Sequence, residues 1–413
     1  MKRIDIEVVE GSEALTRLRV EWQAMFRASG APPFLSWEWL STWHKWFGQE
    51  KHPFLLCARE GGNLIALLPL CAENRQSSRF SPVLKRMSFM GESYGASDYL
   101  DILALPGFKQ KSADLFIDYL APPRSFDLLE LEGIAADSCT LQSLARCFAN
   151  DERFRYRIVP QYICPRMSLD ARWEDLLERS RRSDYFKRCI RRLNKIASFE
   201  FRVVSDVNEI PDAYRRLLAL HVGRWTDRGG SSAFRTAEQK GFTFDAAVEL
   251  ARAGMTRFEE IWLEGECRAS LFGFESGDCY YFFLSGFDQA WSKYSLGFTL
   301  LWLSISEASR RGLKMYDFLR GDENYKFDWS DNPRMTVTAQ VASDSRAARW
   351  HVAREHTKDI ARALLPDWAK TRLRHIRQRS ELSPFGPTPI TTEIIKGSER
   401  EISRVAAGQA MRS

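Results

Sequence analysis

Between Arg257 and Leu319 the chain spells three apolar runs, a helix and one more apolar run. RFEEIWLEG, CRASLFGFESG and DCYYFFLSGFD are separated by the short glycine-containing turns EGE and ESGD, the pattern of an antiparallel meander. LGFTLLWLSISEASRRG then has helical spacing and ends at Gly312, and LKMYDFL closes the unit as a strand. A meander followed by strand, helix and strand is an α/β pattern, so all-helical and all-β architectures are excluded.

The first half follows the same plan. SEALTRLRVEWQAMFRAS and FLSWEWLSTWHKWFG are helical, the second with Ser36 as N-cap. FLLCARE and LIALLPLCAE flank a Gly-Gly-Asn turn as a hairpin. MSFMG and LDILAL are strands, QKSADLFIDYL is a helix and FDLLELEG a closing strand. In the second half the meander is preceded by the long basic helical run ARWEDLLERSRRSDYFKRCIRRLNKI, the strand FEFRVVSD and two helices, IPDAYRRLLALHVGRWTDRG and GFTFDAAVELARAG. Two copies of one α/β domain are therefore expected, at residues 1–155 and 156–345. A basic helical extension (346–380) and a polar, Pro-rich tail (381–413) follow.

A length of 413 residues suits two such domains, and 28% charged residues mark them as globular. No uncharged apolar run reaches the ~18 residues of a membrane span. The start, MKRIDIEVVEGSEAL, has early acids and no apolar core, so no signal peptide is expected. The 8 Cys contain no CxxC pair and the 6 His no zinc spacing, so no metal and a cytoplasmic, reduced protein are expected. A net charge of +6 suits an anionic ligand such as a phosphorylated cofactor.

The junction WSKYSLGFTLLWL starts a helix whose first N–H groups lack partners and whose dipole favours anions. Gly297 would let a phosphate approach the backbone there, and Lys293 adds a cation. Four segments, HVGRW, KYSLGFTLLW, YDFLRGDENYKFDW and SDYLDI, resemble the tandem GNAT-like proteins grouped as CelD-type acetyltransferases, similar in turn to the Fem aminoacyltransferases. The resemblance covers about residues 10–345 and is specific over 292–329. The usual acyl-CoA motif is incomplete, with Lys293 followed by the single glycine Gly297.

That resemblance implies two tandem GNAT-like domains with mixed, mostly antiparallel sheets. The second would hold acetyl-CoA or another acyl-CoA, with Ser285, Gly286, Lys293, Ser295, Leu296, Gly297 and Phe298 as the residues about it. The first would be a degenerate copy that shapes the acceptor cleft. The acceptor implied is an amine or hydroxyl of a sugar or polysaccharide precursor, attacked directly and without a covalent intermediate. Two alternatives stand beside this reading: Fem-like transfer from a charged tRNA, and a non-catalytic sensor or scaffold in a polysaccharide-synthesis assembly. Outside the tRNA case no nucleic-acid partner is expected.

Proton transfer needs a positioned base, and Asp317, His221 and Glu323 are the candidates. Asp317 has a plainer reading as a salt bridge to Arg224 or Arg320, and His221 as a core histidine with a backbone partner. His221, Arg224 and Trp225 share a helix face that would look into the cleft, with Arg224 and Trp225 at the substrate. Tyr325 and Lys326 are expected at the substrate, with Tyr325, Phe327 and Trp329 alternating on one face and Lys326 on the other. Asp98 and Asp101 are acceptor candidates or turn caps. The basic run RSRRSDYFKRCIRR would attract an acidic acceptor or the 3′-phosphate of CoA, or lie solvated.

Overall fold

The computed structural model describes residues 3–364, apart from 77, 93–96, 123–124, 180–181, 197, 226–233, 235 and 322. The tail expected at 381–413 and the later part of the extension lie outside the described residues. The first half runs β1 (Ile4–Glu10), α1 (Ala14–Ser29), α2 (Trp37–Phe47), β2 (His52–Glu60), β3 (Asn63–Arg75), β4 (Leu84–Phe89), β5 (Leu103–Ala104), α3 (Lys109–Leu120), β6 (Leu128–Ala135), α4 (Cys139–Phe148) and β7 (Phe154–Cys164). The second runs β8 (Arg166–Ser168), α5 (Trp173–Arg179), α6 (Ser183–Leu193), β9 (Glu200–Val204), α7 (Ile210–Trp225), α8 (Ala237–Arg252), β10 (Thr256–Leu263), β11 (Glu266–Ser276) and β12 (Cys279–Phe287). Then come α9 (Leu296–Arg310), β13 (Met315–Asp317), α10 (Asn324–Phe327), β14 (Arg334–Ser343) and α11 (Arg346–Leu364).

Two mixed sheets result. The first has the order β1-β2-β3-β4-β6-β14-β7 with β5 paired to β3, and the second the order β8-β13-β12-β11-β10-β9. Both contain one parallel pair beside the helix that joins it: β4 with β6, and β12 with β13. The chain crosses between the sheets more often than the pattern suggested. β14 follows the second sheet in sequence but inserts between β6 and β7 of the first.

The apolar interior also spans both halves. Trp39 of α2 meets Phe34 edge-on at 5.0 Å, Phe242 of α8 at 5.0 Å and Phe283 of β12 at 5.6 Å. Ser36 caps α2 as expected, accepting from Trp39 N. α2 and α8 touch so closely that a Cβ on Gly241 would lie 2.1 Å from the Trp46 ring. A shared aromatic core of this kind fixes one half against the other by dispersion and quadrupole contacts. The long basic run holds two helices, α5 and α6, and α6 buries Phe186, Cys189 and Leu193 while exposing its cations.

Candidate functional site

β12 and β13 pair in parallel only over Cys279–Tyr281 and Met315–Asp317. Beyond that point β12 runs on with an open edge. A cavity of about 360 Å³ opens there, lined by Phe282, Ser285, Phe287, Leu301, Tyr325, Trp329 and residues 295–298. Its far end is the turn Gln289–Tyr294 and the start of α9. The start of α9 differs from expectation. Ser295 stands in the left-handed region (φ 55) and makes no capping bond; its Oγ instead meets the Tyr185 hydroxyl at 2.6 Å. No side chain caps α9, so its first-turn amides and positive dipole end face the cavity region. Leu296 is buried, Gly297 and Phe298 are half-buried at the cavity wall, and Lys293 is exposed with its Nζ 5.1 Å from the Tyr294 ring.

His221 lies on the other face of β12. Its Nδ1 donates to the Ser285 carbonyl at 2.7 Å, which leaves Nε2 as the lone-pair nitrogen of the neutral ring. Gly286 is required by packing: a Cβ there would fall 2.5 Å from the His221 backbone nitrogen. Ser285 is thus the residue where the cavity and the His221 face meet. The backbone of Arg224 and Trp225 continues α7, and their side chains lie outside the described residues.

Two buried carboxylates, Asp317 and Asp98, bond across the halves. Asp317 is buried, and its Oδ2 accepts from the Tyr99 hydroxyl at 2.8 Å while Oδ1 accepts from Leu319 N at 2.8 Å. Arg320 pairs with Asp98 instead, Nε to Oδ1 at 2.7 Å, and its backbone N–H also reaches Asp98. Asp101 is engaged on both oxygens: by Ile102 N and the Thr140 hydroxyl on one, by the Ser138 hydroxyl and Lys109 on the other. The strand alternation expected around Lys326 is not found, because Asn324–Phe327 is a helical turn. In a helix, positions 326 and 329 share a face. Lys326 and Trp329 are accordingly buried, whereas Tyr325 and Phe327 are exposed. Lys326 Nζ donates to the Arg320 carbonyl at 2.9 Å and pairs with Glu323 at 2.9 Å.

Burial pushes the Asp317 carboxyl up to about 7 from 3.8, opposed by its bonds from Leu319 and Tyr99. A carboxyl that holds its proton more tightly when folded stabilises the fold below its unfolded pKa, and that contribution is lost as pH rises through the folded value. Stability should therefore fall between about pH 4 and 7 by up to ~1.4 kcal/mol per pH unit from this group. Asp317→Asn should flatten that slope in urea melts taken across the window. An unchanged slope would assign the titration to another group.

Sequence reasoning missed Tyr99 and Tyr185 as partners and set Arg320 against Asp317 rather than Asp98, because each of these bonds acts across more than 100 positions of sequence. It also missed Glu132, whose carboxyl is pushed up to about 7 by burial and by Glu92 and Glu130. Among the described residues no group of His, Cys, Asp and Glu side chains is arranged to hold a metal ion, and no helix is long and apolar enough to cross a membrane.

Comparison with known proteins bears on the fold. Residues 179–327 match the family model described as "Acetyltransferase (GNAT) domain". No curated protein sequence matches the chain. Among solved structures, FemX aligns over 81% of this chain and 96% of its own at 10% identity, with a TM-score of 0.54. L-PGS from Bacillus licheniformis aligns over 83% and 96% at 11% identity and 0.48, and a tandem GNAT protein from the clavulanic acid biosynthesis pathway over 81% and 98% at 10% identity and 0.39. At 10% identity the likeness to FemX is one of fold. The fold is the α/β GNAT fold with mixed sheets and a helical C-terminal region, and with an acetyltransferase (GNAT) domain over residues 179–327 the chain is an enzyme of the acyltransferase class.

Proposed function

We propose that the protein transfers an acyl group from acyl-CoA to an amine or hydroxyl acceptor by direct attack. The observation that carries the reading is the cavity at the splay of β12 and β13, closed at one end by the uncapped start of α9. The donor's pyrophosphate would lie on the amides of Leu296, Gly297 and Phe298, with Lys293 beside it. Its pantetheine would follow the open edge of β12 between Phe282, Leu301 and Trp329, past Tyr325 at the rim. The thioester would then reach the Ser285–Gly286 backbone, whose amides are the candidates for an oxyanion contact.

The acceptor would arrive on the His221 face. As its nitrogen or oxygen bonds to the thioester carbon, the carbon–sulfur bond breaks, the thiolate leaves, and His221 Nε2 takes the acceptor's proton. Asp317 and Asp98 then bridge the halves, and Asp101, Lys326 and Glu323 bond within their own halves, rather than touch the reacting atoms. The first copy differs at the corresponding place, among the described residues. Its splay is occupied by its own chain: Ser97 Oγ donates to Gly91 O and accepts from Trp39 Nε1, and Ser97 O lies 3.4 Å from a Cβ built on Gly133. A sugar or polysaccharide precursor as acceptor follows from the resemblance to CelD-type proteins.

Calorimetry with CoA tests the donor. A Cβ on Gly297 would lie 3.0 Å from the Phe287 ring, so Gly297→Val narrows the cavity wall with little room to yield. It should weaken CoA binding by roughly 10-fold or more while the protein stays folded. Unchanged affinity in the folded variant rejects this placement, and tRNA copurifying in place of CoA would favour aminoacyl transfer.

A further inference from the structure

Arg182, the residue before α6, lines the cavity, and α6 itself lies between β8 and β9 and reaches the start of α9. Its sequence SDYFKRCIRRL sets Lys187, Arg188, Arg191 and Arg192 against the single acid Asp184. An ordinary solvated helix mixes both signs, because like charges at i,i+4 repel. Positions 185, 188 and 192 share one face, and that face turns toward α9. Tyr185 is 39% exposed, bonds Ser295 at the helix start and meets Phe298 edge-on at 5.0 Å. Arg188 lies 5.8 Å from the Tyr185 ring, and Arg192 lies 5.3 Å from the Tyr294 ring beside Lys293.

Two aromatic rings and three cations therefore stand just outside the uncapped start of α9. They are not used in ion pairs. Arg182 pairs with Asp328 at 2.8 Å, whereas among the described residues Arg188, Arg192 and Lys293 have no carboxylate within ion-pair distance. Cations kept on aromatic faces without counter-charges are poised for a ligand anion. A donor whose pyrophosphate sits on α9 carries its nucleoside outward, past these groups.

We propose that α6 and the Lys293–Tyr294 turn form a subsite for a phosphorylated nucleoside, with Tyr185 and Tyr294 against the base and Arg188 and Arg192 on the ribose phosphate. The inference rests on the acyl-CoA reading and deepens it: the enzyme selects the nucleotide end of its donor as well as the thioester end. A guanidinium fork matches a phosphate dianion bidentately, and such a charge-assisted pair outlasts the entropy of ordering an exposed side chain.

Calorimetric titration of the full chain with CoA, 3′-dephospho-CoA and 4′-phosphopantetheine tests it, in the wild type and in an Arg188→Gln, Arg192→Gln variant. Both arginines are exposed, so the variant should melt with the wild type. Wild type should prefer CoA over 3′-dephospho-CoA by roughly 10-fold or more. The variant should lose that preference, with its affinity for 3′-dephospho-CoA changed by less than about twofold. Equal wild-type affinities for CoA and 3′-dephospho-CoA, or a preference that survives in the variant, overturn the subsite and leave the donor assignment intact. Failure of all three compounds to bind overturns both.

Discussion

Arg320→Met should cost about 3–5 kcal/mol of folding stability, the usual loss when one partner of a buried ion pair is removed. Asp98 is fully buried, and its carboxylate faces the Arg320 guanidinium at 2.7 Å. The same guanidinium donates to the Ser97 carbonyl and lies over the Tyr162 ring at 4.6 Å. Without it Asp98 keeps the bond from the Arg320 backbone N–H at 3.1 Å, and a charge deep in protein. Adding Asp98→Asn to Arg320→Met should recover much of the loss, because the stranded charge goes with it. Urea unfolding of the two single variants and the double variant gives the coupling directly. A single-variant loss below about 1 kcal/mol would place the pair in an effectively solvated setting.

That pair also shows what could be read in advance and what could not. The meander, the α9 helix and the glycine that ends it are local: alternation, helical spacing and Gly312 at φ 80 each act within a few residues. Ser36 capping α2 is equally local. Three strands left no such mark on their own segments. β1 is short and half-exposed, β7 is half-exposed and contains Pro160, and β14 joins a sheet whose other members end about 170 residues earlier. Long-range pairing of that kind is set by tertiary packing, which a window of sequence does not contain. The dense cluster at YDFLRGDENYKFDW was visible as unusual, but the roles of its members were not. Whether Asp317 meets Arg320 or Tyr99 depends on which residues the other half presents, and whether Lys326 points in or out depends on a helical turn replacing a strand.

His221→Asn should lower turnover by about 10²-fold or more while leaving CoA affinity and the melting temperature close to wild type. The asparagine amide keeps an N–H near the position of Nδ1, so the bond to the Ser285 carbonyl at the cavity wall is retained. What disappears is the second ring nitrogen, the proton acceptor of the proposed reaction. His221→Phe is the complementary variant: it keeps an apolar ring against Phe234, now 5.1 Å away edge-on, but strands the Ser285 carbonyl. If the imidazole only supports the strand, Asn should be active and Phe should be both unstable and slow. If it is the base, both variants should be slow and only Phe should lose stability. Turnover with any accepted amine, donor affinity by calorimetry and thermal melting separate the two cases, and a folded His221→Asn enzyme with normal turnover would move the search for a base to another residue on that face of β12.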